Sequence, residues 1–169
     1  MSISMYSASV PVYSHTLGSL ERILDKAEAS AAARKFDPAV LLGLRLAPDM
    51  LPLAKQVQIA CDAAKLSVAR LAGIDAPKFE DNEASIADLK ARVRKTIEFL
   101  AAVPAAKLDG SETREVRVPR RDGEMKFDGE TYLKHYALPN FFFHVTTTYA
   151  LLRHNGVDLG KADYLGALQ

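Results

Sequence analysis

Four long segments of this chain carry apolar residues every three or four positions, and this repeat constrains the fold more than any other feature. Such spacing gives an α-helix one apolar face that must be buried. Pro48 and Pro52 are expected to kink the second helix or to interrupt it briefly, and Pro139 to kink the fourth, because proline has no backbone N–H to donate. The predicted helices run from about Ser9 to Arg34, from Asp37 to Gly73, from Ala84 or Ser85 to Val103, and from just after Asp128-Gly129 to Asn155-Gly156.

Between the third and fourth helices the apolar period changes from three or four residues to two. Val116-Arg-Val118 and Met125-Lys-Phe127 alternate in this way, and Asp122-Gly123 between them is a strong turn signal. These patterns predict a β-hairpin at about 115–128. Long helices without long strands favour a bundle. The predicted fold is therefore all-α, a four-helix bundle with one short hairpin inserted before the last helix, in a single domain spanning 1–169.

Composition and charge exclude several classes of function. The chain has 22 basic and 21 acidic residues, a net charge of +1, whereas nucleic-acid-binding proteins carry a basic excess. No apolar run approaches the roughly 20 residues that cross a bilayer, and no basic cluster precedes an apolar stretch at the N-terminus. Cys61 is the one cysteine, so no intrachain disulfide can form. We therefore expect a cytoplasmic protein in which Cys61 is a small buried residue.

The fourth helix carries the most site-like pattern in the sequence. At about 100° per residue, six residues fall on one face: Leu133, Ala137, Asn140, His144, Thr148 and Leu151. That face is expected to look into the bundle, toward the second helix, where Gln56 or Asp49 would lie within reach. Buried polar side chains need partners. Asn140, His144 and Thr148 are therefore a candidate small-molecule site, with a core histidine hydrogen-bonded to a neighbouring helix as the alternative.

The opposite side of the same helix is apolar as well. Leu138, Phe142, Val145 and Tyr149 cluster about 160° away from the polar residues. A helix that is apolar all round is normally covered on both sides. We expect a second copy of the chain to cover this stripe in a homodimer. Coverage by the hairpin and the C-terminal tail is the alternative.

The sequence of the fourth helix resembles that of a known protein family. The stretch Pro139-Asn-Phe-Phe-Phe-His-Val-Thr-Thr-Thr-Tyr-Ala-Leu-Leu-Arg-His-Asn-Gly156 resembles an uncharacterised bacterial family, a domain of unknown function. Ser4-Met-Tyr and Ala47-Pro-Asp-Met-Leu-Pro-Leu-Ala-Lys-Gln56 look like the same family, so the resemblance covers essentially the whole chain. Members are grouped with the DinB/YfiT-like four-helix bundles, often described as metal-dependent enzymes. The resemblance thus implies the same fold and a divalent transition metal.

The resemblance implies a metal site with three histidine ligands, one on the second helix and two spaced four apart on the fourth. Counting back from Leu152-Arg-His-Asn-Gly156, His144 matches the second of the paired histidines, whereas Asn140 stands at the first. The second helix has no histidine, and Gln56 or Asp49 is its nearest polar candidate. Amide oxygens are poor ligands for zinc and similar ions. We therefore expect a degenerate metal site, with His144 as its one matching ligand.

Three functional hypotheses remain. The first, by analogy with the superfamily, is a protein that binds a small molecule or a metal, such as a thiol-dependent transferase. The second is a non-enzymatic dimeric scaffold or stress-associated accessory protein. The third is a module that binds a different protein through the Phe142 and Tyr149 side of the last helix. The sequence has no glycine-rich phosphate loop, Gly-x-Ser-x-Gly elbow or His-Glu-x-x-His helix that would name a reaction.

Overall fold

The computed structural model of the chain describes residues 3–167. Its long helices are α1 (Val10–Ala33), α2 (Leu53–Ala72), α3 (Ile86–Ala101) and α6 (Leu138–His154). Shorter elements connect and extend them: a 3₁₀-helix (Pro38–Gly43), α4 (Ala105–Leu108), β1 (Val116–Arg120), β2 (Gly123–Phe127), α5 (Gly129–Tyr132), a π-helical segment (Leu133–Ala137) and α7 (Lys161–Leu165). The predicted all-α bundle with a hairpin before the last long helix is confirmed.

Local signals in the sequence account for the ends of these helices. The Ser85 side chain accepts a hydrogen bond from the backbone N–H of Asp88 and so caps α3. Gly73 ends α2 in the left-handed conformation, at φ 65°, which glycine adopts without a steric penalty. The predicted second helix is divided as the prolines required, because the segment between the 3₁₀-helix and α2 contains Pro48 and Pro52.

The four long helices pack in a square. Helix α1 lies between α3 and α6, and α2 lies between the same two helices on the other side. Their apolar faces form one cluster, whose largest fully buried side chains include Tyr13, Tyr132 and Phe141. Cys61 belongs to this cluster, as expected. No helix within residues 3–167 combines the length and the apolar character needed to cross a membrane.

The hairpin lies at one side of the bundle and packs its apolar face on α2. Its register pairs Val116 with Phe127 and Arg120 with Gly123. Arg121 and Asp122 therefore form the turn, one residue earlier than the predicted Asp122-Gly123. Val116 and Val118 are buried, whereas the alternate residues of β1 face solvent. The hairpin thus adds a wall along α2, and within the described part of the chain its sheet has two strands.

A π-helical segment changes the phase of the last helix. The backbone N–H of Leu138 donates to the carbonyl of Leu133, five residues earlier, just before Pro139. In an α-helix the Pro139 ring would clash with the carbonyl four residues before it, and the wider turn removes that clash. A π turn inserts one extra residue, so every later side chain is rotated relative to a continuous α-helix. Phe141 and Val145, both fully buried, occupy the core positions predicted for Asn140 and His144.

This rotation corrects the predicted outer stripe. Val145 is a core residue and does not face outward. Leu138, Phe142 and Tyr149 are half-buried, and Tyr149 packs edge-on against Tyr164 of α7, with 6.0 Å between the ring centroids. The Tyr164 hydroxyl also lies 3.0 Å from the Thr146 hydroxyl oxygen. The C-terminal helix thus covers one end of the stripe within the same chain.

Candidate functional site

His144 and Gln56 form the polar contact between the last helix and α2. The His144 Nδ1 lies 2.7 Å from the Gln56 Oε1, and the Gln56 Nε2 donates to the carbonyl of Leu51 at 3.0 Å. Because the Gln56 oxygen can only accept, the Nδ1–H of a neutral His144 donates and the lone pair lies on Nε2. Burial lowers the pKa of His144 below its usual value, which favours this neutral form. The pair therefore presents one acceptor nitrogen at the edge of the bundle.

The structure separates the other residues predicted for this site. Thr148 is buried, and its hydroxyl donates to the backbone carbonyl of His144 at 2.9 Å, so its hydrogen bond stays within α6. Asn140 is half-buried one helical turn before His144. Asp49 is exposed on the loop before α2 and makes no hydrogen bond or ion pair with His144 among residues 3–167. The predicted set is thus reduced to His144 and Gln56, with Asn140 alongside.

Asn140 belongs to a cavity of about 220 Å³ between α2, the hairpin and the segment that leads into α6. We call this cavity the α2/α6 cleft. Its lining from α2 is Ile59, Asp62, Ala63, Leu66 and Arg70; Val118 and Pro119 come from β1, and Tyr132, Tyr136, Ala137 and Asn140 from the opposite wall. The two walls run antiparallel. Gln56 contacts His144 beyond the Ile59 end of the cleft, and Arg70 contacts Tyr132 at the opposite end.

Sequence reasoning missed most of this cleft, although one signal was present. Ile59, Ala63, Leu66 and Arg70 recur every three or four residues on α2, beside the core stripe that contains Val57, Cys61 and Ala64. A second stripe with two large apolar members indicates that this side of the helix is also covered. The tyrosines of the other wall are placed by the π-helical segment and the turn before it, which the periodicity does not reveal.

A charged cluster lies behind the cleft at Asp62. The guanidinium of Arg92, only 4% exposed, contacts Glu83 at 2.8 Å, Asp81 at 3.1 Å and Asp62 at 3.2 Å. Lys65, also buried, contacts Asp62 at 2.8 Å. Arg92 belongs to the charged run 90–95, a pattern typical of a solvated helix face, but the structure buries it. The loop between α2 and α3 folds over Arg92 and supplies two of its carboxylates.

The residues at the implied metal position do not suit a transition metal. The donors there are one imidazole and two carboxamides, from His144, Gln56 and Asn140, and the Gln56 oxygen is already paired with the His144 ring. Within residues 3–167, no three or more His, Cys, Asp or Glu side chains are grouped so that they could hold a metal ion. His15 is half-buried on α1, with its Nε2 2.6 Å from the carbonyl of Leu165, and His135 and His154 are exposed.

Cys61 is not placed to act as a nucleophile. Its side chain is fully buried, and burial raises the pKa of the thiol to about 12. The thiolate, which is the reactive form, is therefore scarcely populated at neutral pH. Any chemistry of the cleft must use its oxygen and nitrogen groups.

Comparisons with known proteins agree with this architecture. A search of curated proteins found no match. A solved structure of a DinB family member from Shewanella denitrificans is similar, with 44% sequence identity over 96% of this chain and 92% of that one, and a TM-score of 0.91. The model of the family described as a domain of unknown function, DUF1993, matches residues 5–165. This chain is therefore a DinB-like four-helix bundle and belongs to the DUF1993 family.

Proposed function

We propose that this protein binds a small organic molecule in the α2/α6 cleft and that its metal site has degenerated into a hydrogen-bonding pair. The observation that carries the proposal is the cleft itself, which is large enough for a small ring or a short chain. It has apolar walls with a few polar groups, the usual character of ligand sites. A reducing compartment, the cytoplasm, suits a protein whose one cysteine is a buried thiol.

The His144–Gln56 pair supports the same proposal. Asn140 lines the cleft and lies four residues before His144, so the two side chains are neighbours along α6. The His144 Nε2 has no protein partner among residues 3–167 and is not among their fully buried atoms. It can accept a hydrogen bond from a hydroxyl or an N–H group of a ligand that extends past Asn140.

A fragment screen by NMR tests the proposal. We expect small aromatic and aliphatic fragments to shift the backbone amide signals of 59–70 on α2 and of 132–140 on the opposite wall. Ala63→Trp would place an indole in the cleft and should abolish these shifts. Ala87→Trp, at an exposed position of α3, is the matched control and should leave them unchanged. Fragments that bind elsewhere, or equally well to the Ala63→Trp variant, would contradict the proposal.

We also propose a homodimer formed through α6, in which Leu138 and Phe142 lie half-buried on one side and Phe143 is exposed about 100° further round the helix. Phe143 is 56% exposed, and a second copy that covered it would remove this apolar surface from water. Phe143→Asp should shift a dimer to a monomer in light scattering at tens of micromolar. Val40→Asp, which removes a similarly exposed apolar side chain from the 3₁₀-helix, should not. A wild-type monomer at that concentration would exclude the dimer and with it the scaffold function.

A further inference from the structure

We infer that the Arg70 end of the α2/α6 cleft binds the carboxylate of a small and otherwise apolar molecule. This inference rests on the proposed function, because it names the class of ligand for the same cleft. Three observations lead to it. Arg70 has no carboxylate partner among the described residues, Tyr132 holds its guanidinium in place, and the charge of Asp62, the other charged residue of the lining, is already compensated.

Arg70 keeps its charge unpaired. Like most arginines in residues 3–167, Arg70 has no carboxylate within ion-pair distance; it differs from them because it lines the α2/α6 cleft. Among the described residues its single side-chain hydrogen bond runs from Nη1 to the Tyr132 hydroxyl, at 3.1 Å. A guanidinium has five N–H donors, so most of them remain available to a ligand.

Tyr132 holds this guanidinium against the wall of the cleft. The tyrosine is 1% exposed, and its ring centroid lies 6.0 Å from the Arg70 guanidinium carbon. Burial raises the pKa of the Tyr132 phenol, so the phenol stays neutral and does not cancel the arginine charge. An arginine already held in one orientation loses little conformational freedom when a ligand binds.

The rest of the cleft favours a monoanion with an apolar body. Asp62 is the other charged residue of the lining, and Lys65 and Arg92 already compensate its carboxylate. The walls between Asp62 and Arg70 are formed by Ala63, Leu66, Val118 and Tyr136. A carboxylate can form two parallel hydrogen bonds with one guanidinium, and its single charge is balanced by Arg70, whereas a phosphate dianion carries more negative charge than this one cation balances. The span from Ile59 to Arg70 is about 16 Å along α2, enough for a carboxylate and a ring.

Calorimetric titration of the full chain with matched acids and amides tests the inference. The probes are benzoate, phenylacetate, 3-phenylpropionate and hexanoate, each compared with its uncharged carboxamide at millimolar concentrations. We expect at least one acid to bind about tenfold or more tightly than its amide, as a charge-assisted hydrogen bond requires. Arg70→Gln should remove this preference, and Tyr132→Phe should reduce it.

The control separates binding from a purely structural role. Arg70 lies in the last turn of α2, where any cation stabilises the helix end. Arg153 occupies the same place in α6 but does not line the cleft. Arg153→Gln should therefore lower stability as Arg70→Gln does, while leaving acid binding unchanged. Equal binding of acids and amides, or no effect of Arg70→Gln on their affinities, would overturn the inference.

The two proposals fail in different ways. If neutral fragments bind in the cleft and none of the four acids is preferred, the carboxylate inference is wrong and the binding function remains. If neither acids nor neutral fragments shift the amide signals of the cleft walls, both are wrong.

Discussion

The Nδ1 of His144 lies 2.7 Å from the side-chain oxygen of Gln56, which precedes it by 88 positions in the chain. This bond joins the two helices that form the cleft and fixes which ring nitrogen carries the proton. The Gln56 amide is itself oriented by its bond to the Leu51 carbonyl. The position at which the family resemblance implies a metal ligand thus holds a neutral imidazole with its lone pair on the other nitrogen, Nε2.

Replacing Gln56 with leucine should release the His144 ring. In the wild type we expect ¹⁵N NMR of the imidazole to report a protonated Nδ1 and a bare Nε2. In Gln56→Leu the two tautomers should mix, and the free energy of unfolding should fall by about 1 kcal/mol for the lost hydrogen bond. Thr148→Val removes a hydroxyl that bonds only within α6 and should leave the tautomer unchanged. A mixed tautomer in the wild type would contradict the assignment.

His144 should also make stability depend on pH. Its pKa is lowered in the folded state by burial, so the unfolded chain binds a proton more readily. Its contribution is therefore fully present above about pH 6.5, the ordinary histidine value, and is lost as pH falls through the folded pKa. The urea midpoint should fall between pH 7 and pH 5, and less steeply in His144→Gln. His154→Gln, at an exposed site on the same helix, should retain the wild-type slope.

Purified, untagged protein should contain well under one equivalent of zinc, nickel or iron per chain. The reason is the set of donor atoms: His144 stands beside two carboxamides, Gln56 and Asn140, and carboxamide oxygens are poor ligands for these metals. Elemental analysis after dialysis measures this directly. Stoichiometric metal that survives dialysis and disappears in His144→Ala would show that the site has kept its metal despite the amide substitutions.

The sequence predicted those features that depend on neighbouring residues. The apolar period placed the long helices, Ser85 and Gly73 marked helix ends, and alternation placed the hairpin. The phase of α6 could not be predicted in the same way, because the π turn before Pro139 replaces a four-residue hydrogen bond with a five-residue one. The one extra residue in the π turn shifts the phase of α6, so that Phe141 and Val145 occupy the core positions expected for Asn140 and His144.

The candidate site was only partly predictable for a related reason. The contact between His144 and Gln56 was expected because both residues lie on helices that a bundle brings together. The cleft depends on Val118 from the hairpin and on Tyr132 and Tyr136, whose positions follow from tertiary packing. Arg92 looked solvent-exposed in the sequence because the loop that covers it has no regular period.

Arg92 and Arg94 are two residues apart on α3 and provide a matched pair for the last prediction. Arg92 is buried among Asp62, Asp81 and Glu83, whereas Arg94 makes one ion pair with Glu21 at the surface. Arg92→Met would leave Glu83, itself nearly buried, without its cation and should lower the free energy of unfolding by about 3 kcal/mol or more.

Arg94→Met should cost less than about 1 kcal/mol, because water and salt screen an exposed pair. Urea denaturation of both variants at neutral pH measures the difference. Similar losses for the two variants would mean that the Arg92 cluster is open to solvent. We expect a large loss for Arg92→Met alone, because this buried cation balances Asp81 and Glu83 of the loop between α2 and α3 and the Asp62 carboxylate in the wall of the cleft.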